Sequence, residues 1–466
     1  MGNTGGDSLT EDINTQYNLA NMVWIMTATA LVWIMIPGVG LLYSGLSRKH
    51  HGLSLIWMAL MAVSVVSLQW FFWGYSLAFS HEAGKFIGAL DNFGMMNVLA
   101  APSVGSTAIP DILYSFYQLV FAATTAMIMV GGAHERARLG PMMVMLFIWM
   151  TVVYCPIACW TWNPSGWLAK LGGLDFAGGG PVHMTSGAGA LAYALVCGKR
   201  HDPLADDKVK TYRPHSVLSV VLGTVFLWFG WLGFNGGSSG NATIRGFYAA
   251  NSTNLAAASG AMTWLMIDYF RKGRKWSVVA ICTGAIAGLV GITPAAGFVP
   301  CWSAVPIGVI TAAVCNFAFD LKKVLHIDDG LDVFALHGVG GLMGSILTGF
   351  FAADYIAALD GATQIPGGWL NHNYRQLGLQ LAGATATLGY SFTVSTVILV
   401  ALKYIPGFHL RLSVEEELLG TDVCQIGETY FQDSDEPVYT DGVSPGVMSG
   451  AQTPVPRTEK TADESV

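Results

Sequence analysis

Long apolar stretches alternate with short polar loops along most of this 466-residue chain. About 20 apolar residues are needed to cross a lipid bilayer as a helix, so the pattern predicts eleven membrane-spanning helices. The predicted spans are residues 21–45, 53–79, 111–133, 139–162, 179–198, 214–236, 250–270, 276–297, 301–320, 333–353 and 377–403. We therefore expect an all-α membrane protein whose body is a single domain from residue 21 to residue 403.

Composition and charge are typical of a membrane protein. The chain is 53% hydrophobic and 11% charged, whereas soluble domains carry about 25% charged residues. Residues 413–466 hold 12 acidic and 2 basic residues, which leaves 18 acidic and 21 basic residues in the rest of the chain. This nearly neutral body offers no basic surface for nucleic acid. The seven cysteines are scattered without disulfide or metal-ligand spacing, so we expect no metal and no cofactor.

The basic residues predict the orientation. Nineteen of the 23 Lys and Arg residues lie in alternate loops or near the C-terminus, and the opposite side has only Lys85, Lys170, Arg245 and Arg375. Loops rich in Lys and Arg face the cytoplasm, so the N-terminus is expected outside and the C-terminus inside. Residues 1–20 lack the basic start of a signal peptide, and we expect a retained extracellular tail.

Two of the eleven histidines, His183 and His337, lie deep inside predicted spans, the fifth and the tenth. Each follows an aspartate, Asp175 or Asp329, by eight residues. The same position in two groups of five spans indicates an inverted repeat of five plus five helices with one more added. Ionisable groups are costly within a bilayer and mark functional sites.

Two uncharged imidazoles inside the membrane limit what a path through the protein can carry. Burial disfavours the charged ring, and each neutral ring offers one N–H donor and one bare nitrogen acceptor. The pair suits a small neutral hydrogen-bonding molecule, or a proton passed between rings. It suits an alkali cation poorly, because no ring of carbonyls or carboxylates is evident. For either histidine alone, a packing role remains an alternative.

Aromatic residues cluster at the predicted outer ends of spans three, four and six, in YQLVF (117–121), WTW (160–162) and WFGWLGFNGGSS (228–239). Such residues commonly anchor helices at the membrane interface. Aromatic faces with a nearby hydroxyl also attract an ammonium-type cation. Both interpretations remain open on these residues alone.

Five motifs resemble the ammonium transporter superfamily. They are IPGVGLLYSGLSRK (36–49), HERARLGP (134–141), the block from Asp175 to Arg200, GFNGGS (233–238) and DDGLDVFALHGVGG (328–341). The resemblance covers about residues 20–430 and is closest to fungal ammonium permeases. It implies a homotrimer in the plasma membrane that transports ammonium and methylammonium, with one pore per subunit, and no enzymatic activity.

The resemblance also implies roles for individual residues. An external site that recruits ammonium is matched by Trp162, Ser238 and Tyr117. A stacked pair that closes the pore beneath it is matched by Phe121 and Phe234. The twin histidines of the pore are matched by His183 and His337. Asp175 matches a buried acid that supports the site, although a helix N-cap is an equal alternative for it.

The first pore histidine separates fungal branches within the resemblance. One branch has glutamate there, and the high-affinity branch linked to nitrogen sensing and filamentous growth keeps histidine, as at His183. A sensing role is therefore expected in addition to uptake. A passive channel for neutral gas and an ammonium receptor that does not transport remain alternatives.

The C-terminal region divides into two predicted parts. Residues 404–430 are expected to form an ordered cytoplasmic regulatory segment, which the resemblance couples to pore opening. Its candidate regulatory residues are Glu415, Glu416, Glu417, Gly420 and Asp422. Residues 431–466 have the acidic, Ser- and Pro-rich composition of a disordered tail. A regulatory kinase acting on its serines would add further negative charge.

Overall fold

The computed structural model describes residues 13–201 and 213–429, and regular structure within these ranges is helical. Two isolated backbone bridges, Pro102 with Pro110 and Ala137 with Arg411, are the exceptions. The start of the N-terminal tail, the middle of the basic loop after residue 201 and the whole acidic tail from residue 430 lie outside the described residues. The predicted disorder and phosphorylation of that tail therefore stay predictions.

Within the described residues, eight helices are long and apolar enough to cross a bilayer. They are Leu19–Leu46, Lys49–Phe79, Asp111–Val130, Leu139–Leu171, Val217–Gly237, Cys301–Val324, Phe334–Phe351 and Arg375–Lys403. The predicted all-α membrane class is confirmed at this level. The count of eleven spans and their orientation remain predictions.

Helices also occupy the three remaining predicted spans. They are Gly179–Met184 continued by Thr185–Cys197, then Ile244–Arg271, then Val278–Ile292. Shorter helical turns lie between the long helices or after them. They are Ile13–Gln16, Phe93–Met95, Asp354–Ala357, Ala358–Asp360, Trp369–Asn371, Val414–Leu419 and Asp422–Ile426.

One helix begins earlier than its apolar pattern predicts. The expected span was 250–270, whereas the helix extends over Ile244–Arg271 and includes the buried Arg245. The guanidinium of Arg245 pairs with Asp360 at 2.8 Å and lies 5.0 Å from the ring centroids of Phe176 and Phe298. A charge that interrupts the apolar pattern is thus accommodated by an acid and two aromatic faces.

Several helices are started by side-chain caps, because the first N–H groups of a helix have no partner within it. Asn18 accepts a hydrogen bond from the amide of Ala20, and Ser277 accepts one from the amide of Ala280. Ser216 accepts one from the amide of Ser219. These capping residues fix where the long helices begin.

The two central helices carry the buried histidines. We name residues 179–197 the His183 helix and Phe334–Phe351 the His337 helix. Each begins with a π-helical stretch that contains its histidine, Gly179–Met184 and Phe334–Gly338. Such wide turns are rare and occur mostly at functional sites. The backbones cross closely, since a Cβ placed on Gly187 would lie 2.3 Å from the amide nitrogen of Gly338.

Candidate functional site

His183 and His337 meet at the crossing of their helices. The Nδ1 atoms of the two rings lie 3.2 Å apart, and the ring centroids lie 5.3 Å apart. Both side chains are buried. The sequence placed the two histidines at equivalent positions, and the structure brings their rings into contact.

The Nδ1 contact restricts the protonation of the pair. A hydrogen bond between two Nδ1 atoms needs a proton on one of them and a lone pair on the other. Two imidazolium rings would place two protons against each other, so this contact requires at least one neutral ring. Nε2 of His183 has no hydrogen-bond partner among the described residues. That nitrogen is available to a small hydrogen-bonding guest.

Trp231 supports the pair and was not singled out from the sequence. Its ring stacks on His183 with centroids 5.3 Å apart and planes 25° apart. Its indole N–H donates to the hydroxyl of Thr293 at 2.8 Å, and this hydrogen bond fixes the orientation of the indole ring. No local pattern marks Trp231 among the 15 tryptophans of the chain, because its role depends on packing between distant helices.

Phe121 and Phe234 form a closed stack on one side of the histidines. Their ring centroids are 3.9 Å apart and their planes are 16° apart, and both side chains are buried. The Phe234 ring also lies 6.5 Å from His183 in a stacked orientation. Since two rings in van der Waals contact leave no space between them, a molecule passes only if one ring moves.

A cavity of about 90 Å³, which we name the aromatic cavity, lies on the other side of this stack. The predicted recruitment residues Tyr117, Trp162 and Ser238 all line it, together with Phe121. The Ser238 hydroxyl donates to the carbonyl of Phe234 at 2.8 Å, so its lone pairs remain to accept. Aromatic faces and a hydroxyl acceptor in one small cavity suit an ammonium-type cation.

Asp175 lies beside this cavity and holds the start of the His183 helix. Its carboxylate accepts hydrogen bonds from the amides of Gly178, Gly179 and Gly180 at 2.7, 2.9 and 2.6 Å. The backbone carbonyl of Asp175 accepts the indole N–H of Trp162 at 3.1 Å. The side chain of Asp175 therefore caps the helix, and its backbone carbonyl contacts Trp162, whereas its role in recruitment stays a prediction.

Two further cavities lie beyond the stacked rings. A cavity of about 10 Å³, the pore cavity, is lined by Phe234, His183 and His337. A void of this size holds about one water-sized molecule. A wider cavity of about 470 Å³ follows, and it shares Tyr43 with the pore cavity as a lining residue. The cavity at the histidines therefore has room for only one small molecule.

A buried ion-pair cluster beside the wide cavity was also missed from the sequence. Arg200 pairs with Glu135 at 3.0 Å and with Asp328 at 2.8 Å, and Arg48 pairs with Glu135 at 2.6 Å. Burial alone would raise the pKa of Glu135, but Arg200, His134 and His51 together outweigh it and hold that pKa well below its usual range. The four charges lie in four separate loops of the sequence, where only the basic character of the loops was evident.

The segment from residue 404 to residue 429, here the C-terminal segment, packs against these loops. Asp422 accepts hydrogen bonds from the amides of Leu53 and Ser54 at 3.0 and 2.8 Å and so caps the helix that begins there. Burial raises the pKa of Asp422. The fully buried Glu417 pairs with Arg411 at 2.9 Å and accepts from the amide of His201 at 2.6 Å.

The other candidate residues of this segment have different surroundings. Glu416 forms a capping box with Ser413, and Glu415 is exposed. Gly420 has a φ of 107°, which favours glycine, and a Cβ there would lie 2.5 Å from the carbonyl oxygen of His50. Of the three predicted glutamates, only Glu417 is inserted among the loops.

We expect Gly420→Ala to release the C-terminal segment from the loops. The added methyl group meets the His50 backbone in a strained conformation, and the cost of such overpacking is about 1–3 kcal/mol. Limited proteolysis of purified protein should cut after residue 404 faster than in the wild type. Gly427→Ala is the matched control, because Gly427 also has a positive φ, 76°, with nothing within 4 Å of its Cβ position. Equal cleavage of all three proteins would contradict this expectation.

The helices enclose a series of cavities that includes the aromatic cavity, the stacked phenylalanine rings and the histidine pair. This arrangement is typical of a multi-pass membrane transport protein for a small polar solute. A model described as the Ammonium Transporter Family matches residues 23–431. The chain belongs to this family and is a membrane transporter of ammonium rather than an enzyme.

Individual relatives agree with this assignment. The chain is 63% identical to ammonium transporter MEP2 of Saccharomyces cerevisiae over 435 residues, which cover 92% of this chain and 87% of that protein. The crystal structure of Saccharomyces cerevisiae Mep2 superimposes with a TM-score of 0.88 at 62% identity, over 94% of this chain and 97% of that one. For Candida albicans Mep2 the values are 0.87, 60%, 96% and 97%.

Proposed function

We propose that this chain takes up ammonium across the plasma membrane by recruiting NH4+ in the aromatic cavity and passing ammonia along His183 and His337. The observation that carries the proposal is the 3.2 Å Nδ1 contact of the two histidines in a void that holds one small molecule. A bare cation is strongly disfavoured in such surroundings. The ion therefore gives up its proton to water on the outer side of the phenylalanine stack, and ammonia then hydrogen-bonds to the imidazoles.

The same proposal covers the orientation, oligomeric state and regulation of the protein. The positive-inside rule orients the aromatic cavity outward and the C-terminal segment toward the cytoplasm. The family resemblance supports a homotrimer with one pore in each subunit, and methylammonium as a second substrate. The C-terminal segment contacts the loops through Glu417 and Asp422, and the family resemblance supports coupling of this segment to pore opening. A kinase acting on the acidic tail and a role in sensing nitrogen availability complete the proposal.

Transport kinetics after changes in the aromatic cavity test the recruitment step. We expect Trp162→Leu and Ser238→Ala to raise the KM for ammonium by about tenfold or more, because each removes one favourable interaction with the cation. Uptake is measured in a fungus that lacks its own ammonium transporters and is normalised to protein at the cell surface.

The two alternative functions give different results in the same cells. A passive channel for neutral gas predicts that uptake does not saturate and is unchanged in both variants, which would overturn the recruitment proposal. A receptor that does not transport predicts no growth on low ammonium. Ammonium-evoked currents across a range of outside pH then show whether the proton follows the ammonia.

A further inference from the structure

We propose that Gln118 is an additional ammonium-binding residue of the aromatic cavity and favours ammonium over methylammonium there. Gln118 lies one helical turn before the gate residue Phe121 and lines the same cavity as Trp162 and Ser238. Its side chain is 6% exposed. The inference deepens the proposed function and rests on it, because it assigns one more acceptor to the recruitment site.

The side-chain amide of Gln118 has one paired end and one unpaired end. Its Nε2 donates to the hydroxyl of Tyr114 at 3.2 Å. Its carbonyl oxygen Oε1 is buried and has no hydrogen-bond partner among the described residues. A buried carbonyl without a donor costs free energy. A donor that is present during transport would offset that cost.

Tyr114 fixes which end of the amide is unpaired. It lies four residues before Gln118 on the helix Asp111–Val130, so the two side chains share one face. The Tyr114 ring packs edge-to-face on Phe79 with centroids 5.2 Å apart. Because the hydroxyl is held in place and takes the amide N–H, the carbonyl oxygen of Gln118 is left for a ligand.

Two oxygen acceptors together with the aromatic faces distinguish ammonium from methylammonium. Ser238 has lone pairs available, since its own proton is donated to Phe234, and Gln118 supplies the second acceptor. Ammonium has four N–H donors in a tetrahedron, whereas methylammonium has three and a methyl group that no oxygen binds. After each oxygen has accepted one N–H, ammonium still has two N–H groups to direct at the aromatic faces, whereas methylammonium has one N–H and a methyl group.

The test compares Gln118→Met with Gln69→Met. Methionine keeps the length of the side chain but removes the carbonyl. Gln69 is the matched control because its Oε1 is also buried without a partner among the described residues, while the residue lines neither the aromatic nor the pore cavity. We expect Gln118→Met to raise the KM for ammonium by about tenfold, the loss of one charge-assisted hydrogen bond. Methylammonium should be affected less, and maximal uptake per surface protein should change little.

The outcomes separate this inference from the proposed function. An unchanged KM ratio of the two substrates in Gln118→Met, or an equal change in Gln69→Met, overturns the role of Gln118. If Trp162→Leu also leaves uptake saturable and unchanged, the recruitment proposal itself fails. If Gln118→Met does not reach the membrane, Gln118→Glu decides, since it keeps an oxygen acceptor. A KM for ammonium at or below that of the wild type supports the inference, and a raised KM overturns it.

Discussion

Replacing His183 or His337 with alanine should lower ammonium and methylammonium uptake by at least about tenfold while the protein still reaches the cell surface. Each substitution removes one ring from the 3.2 Å Nδ1 contact and leaves the other buried imidazole without its partner. A lost hydrogen bond between buried groups costs about 1–3 kcal/mol, and about 1.4 kcal/mol corresponds to a tenfold change. The measurement is radiolabelled methylammonium uptake per surface protein.

The control for these variants is an exposed histidine. His372→Asn suits this purpose, because His372 is exposed and has a φ of 59° that asparagine also adopts. It should transport like the wild type. Normal uptake in both His183→Ala and His337→Ala would remove the histidines from the transport path and leave the pore assignment without support.

Gly187→Ala should destabilise the whole protein and reduce transport, although it changes neither histidine. The added Cβ would lie 2.3 Å from the amide nitrogen and 2.6 Å from the Cα of Gly338, and backbone atoms cannot rotate away. We expect a loss of about 1–3 kcal/mol or more. The measurement is the thermal midpoint of aggregation in detergent, followed by uptake at a temperature where the variant is folded.

Gly389→Ala is the matched control for this substitution. Gly389 also lies within a long helix, but nothing lies within 4 Å of its Cβ position. Alanine favours the helix there by about 1 kcal/mol, so stability should be unchanged or higher. Equal thermal midpoints for Gly187→Ala and the wild type would show that the helix crossing at the histidines tolerates separation.

The sequence was most informative where a pattern repeats along the chain. Apolar stretches of about 20 residues predicted the helical membrane class, and the eight-residue spacing after Asp175 and Asp329 placed His183 and His337 at equivalent positions. The structure adds that these acids also act alike. Asp175 and Asp329 each accept backbone amides at the start of their histidine helix.

Features that depend on contacts between distant segments were not predictable in this way. Trp231 is one apolar residue among many until its ring lies on His183. The carbonyl of Gln118 is a candidate ligand only because Tyr114 binds the other end of the amide and the residue lines the aromatic cavity. Arg200 was counted only as a loop charge, whereas its two carboxylate partners come from other loops.

The capping of Leu53 and Ser54 by Asp422 has a consequence for biosynthesis. The acceptor that satisfies the amide of Ser54 follows it by 368 residues, so nearly the whole chain leaves the ribosome before that bond forms. Every chain interrupted upstream of Asp422 lacks the cap of the helix that begins at Gly52. Docking of the C-terminal segment thus requires nearly complete synthesis, and a chain truncated before Asp422 leaves the amides of Leu53 and Ser54 without this acceptor.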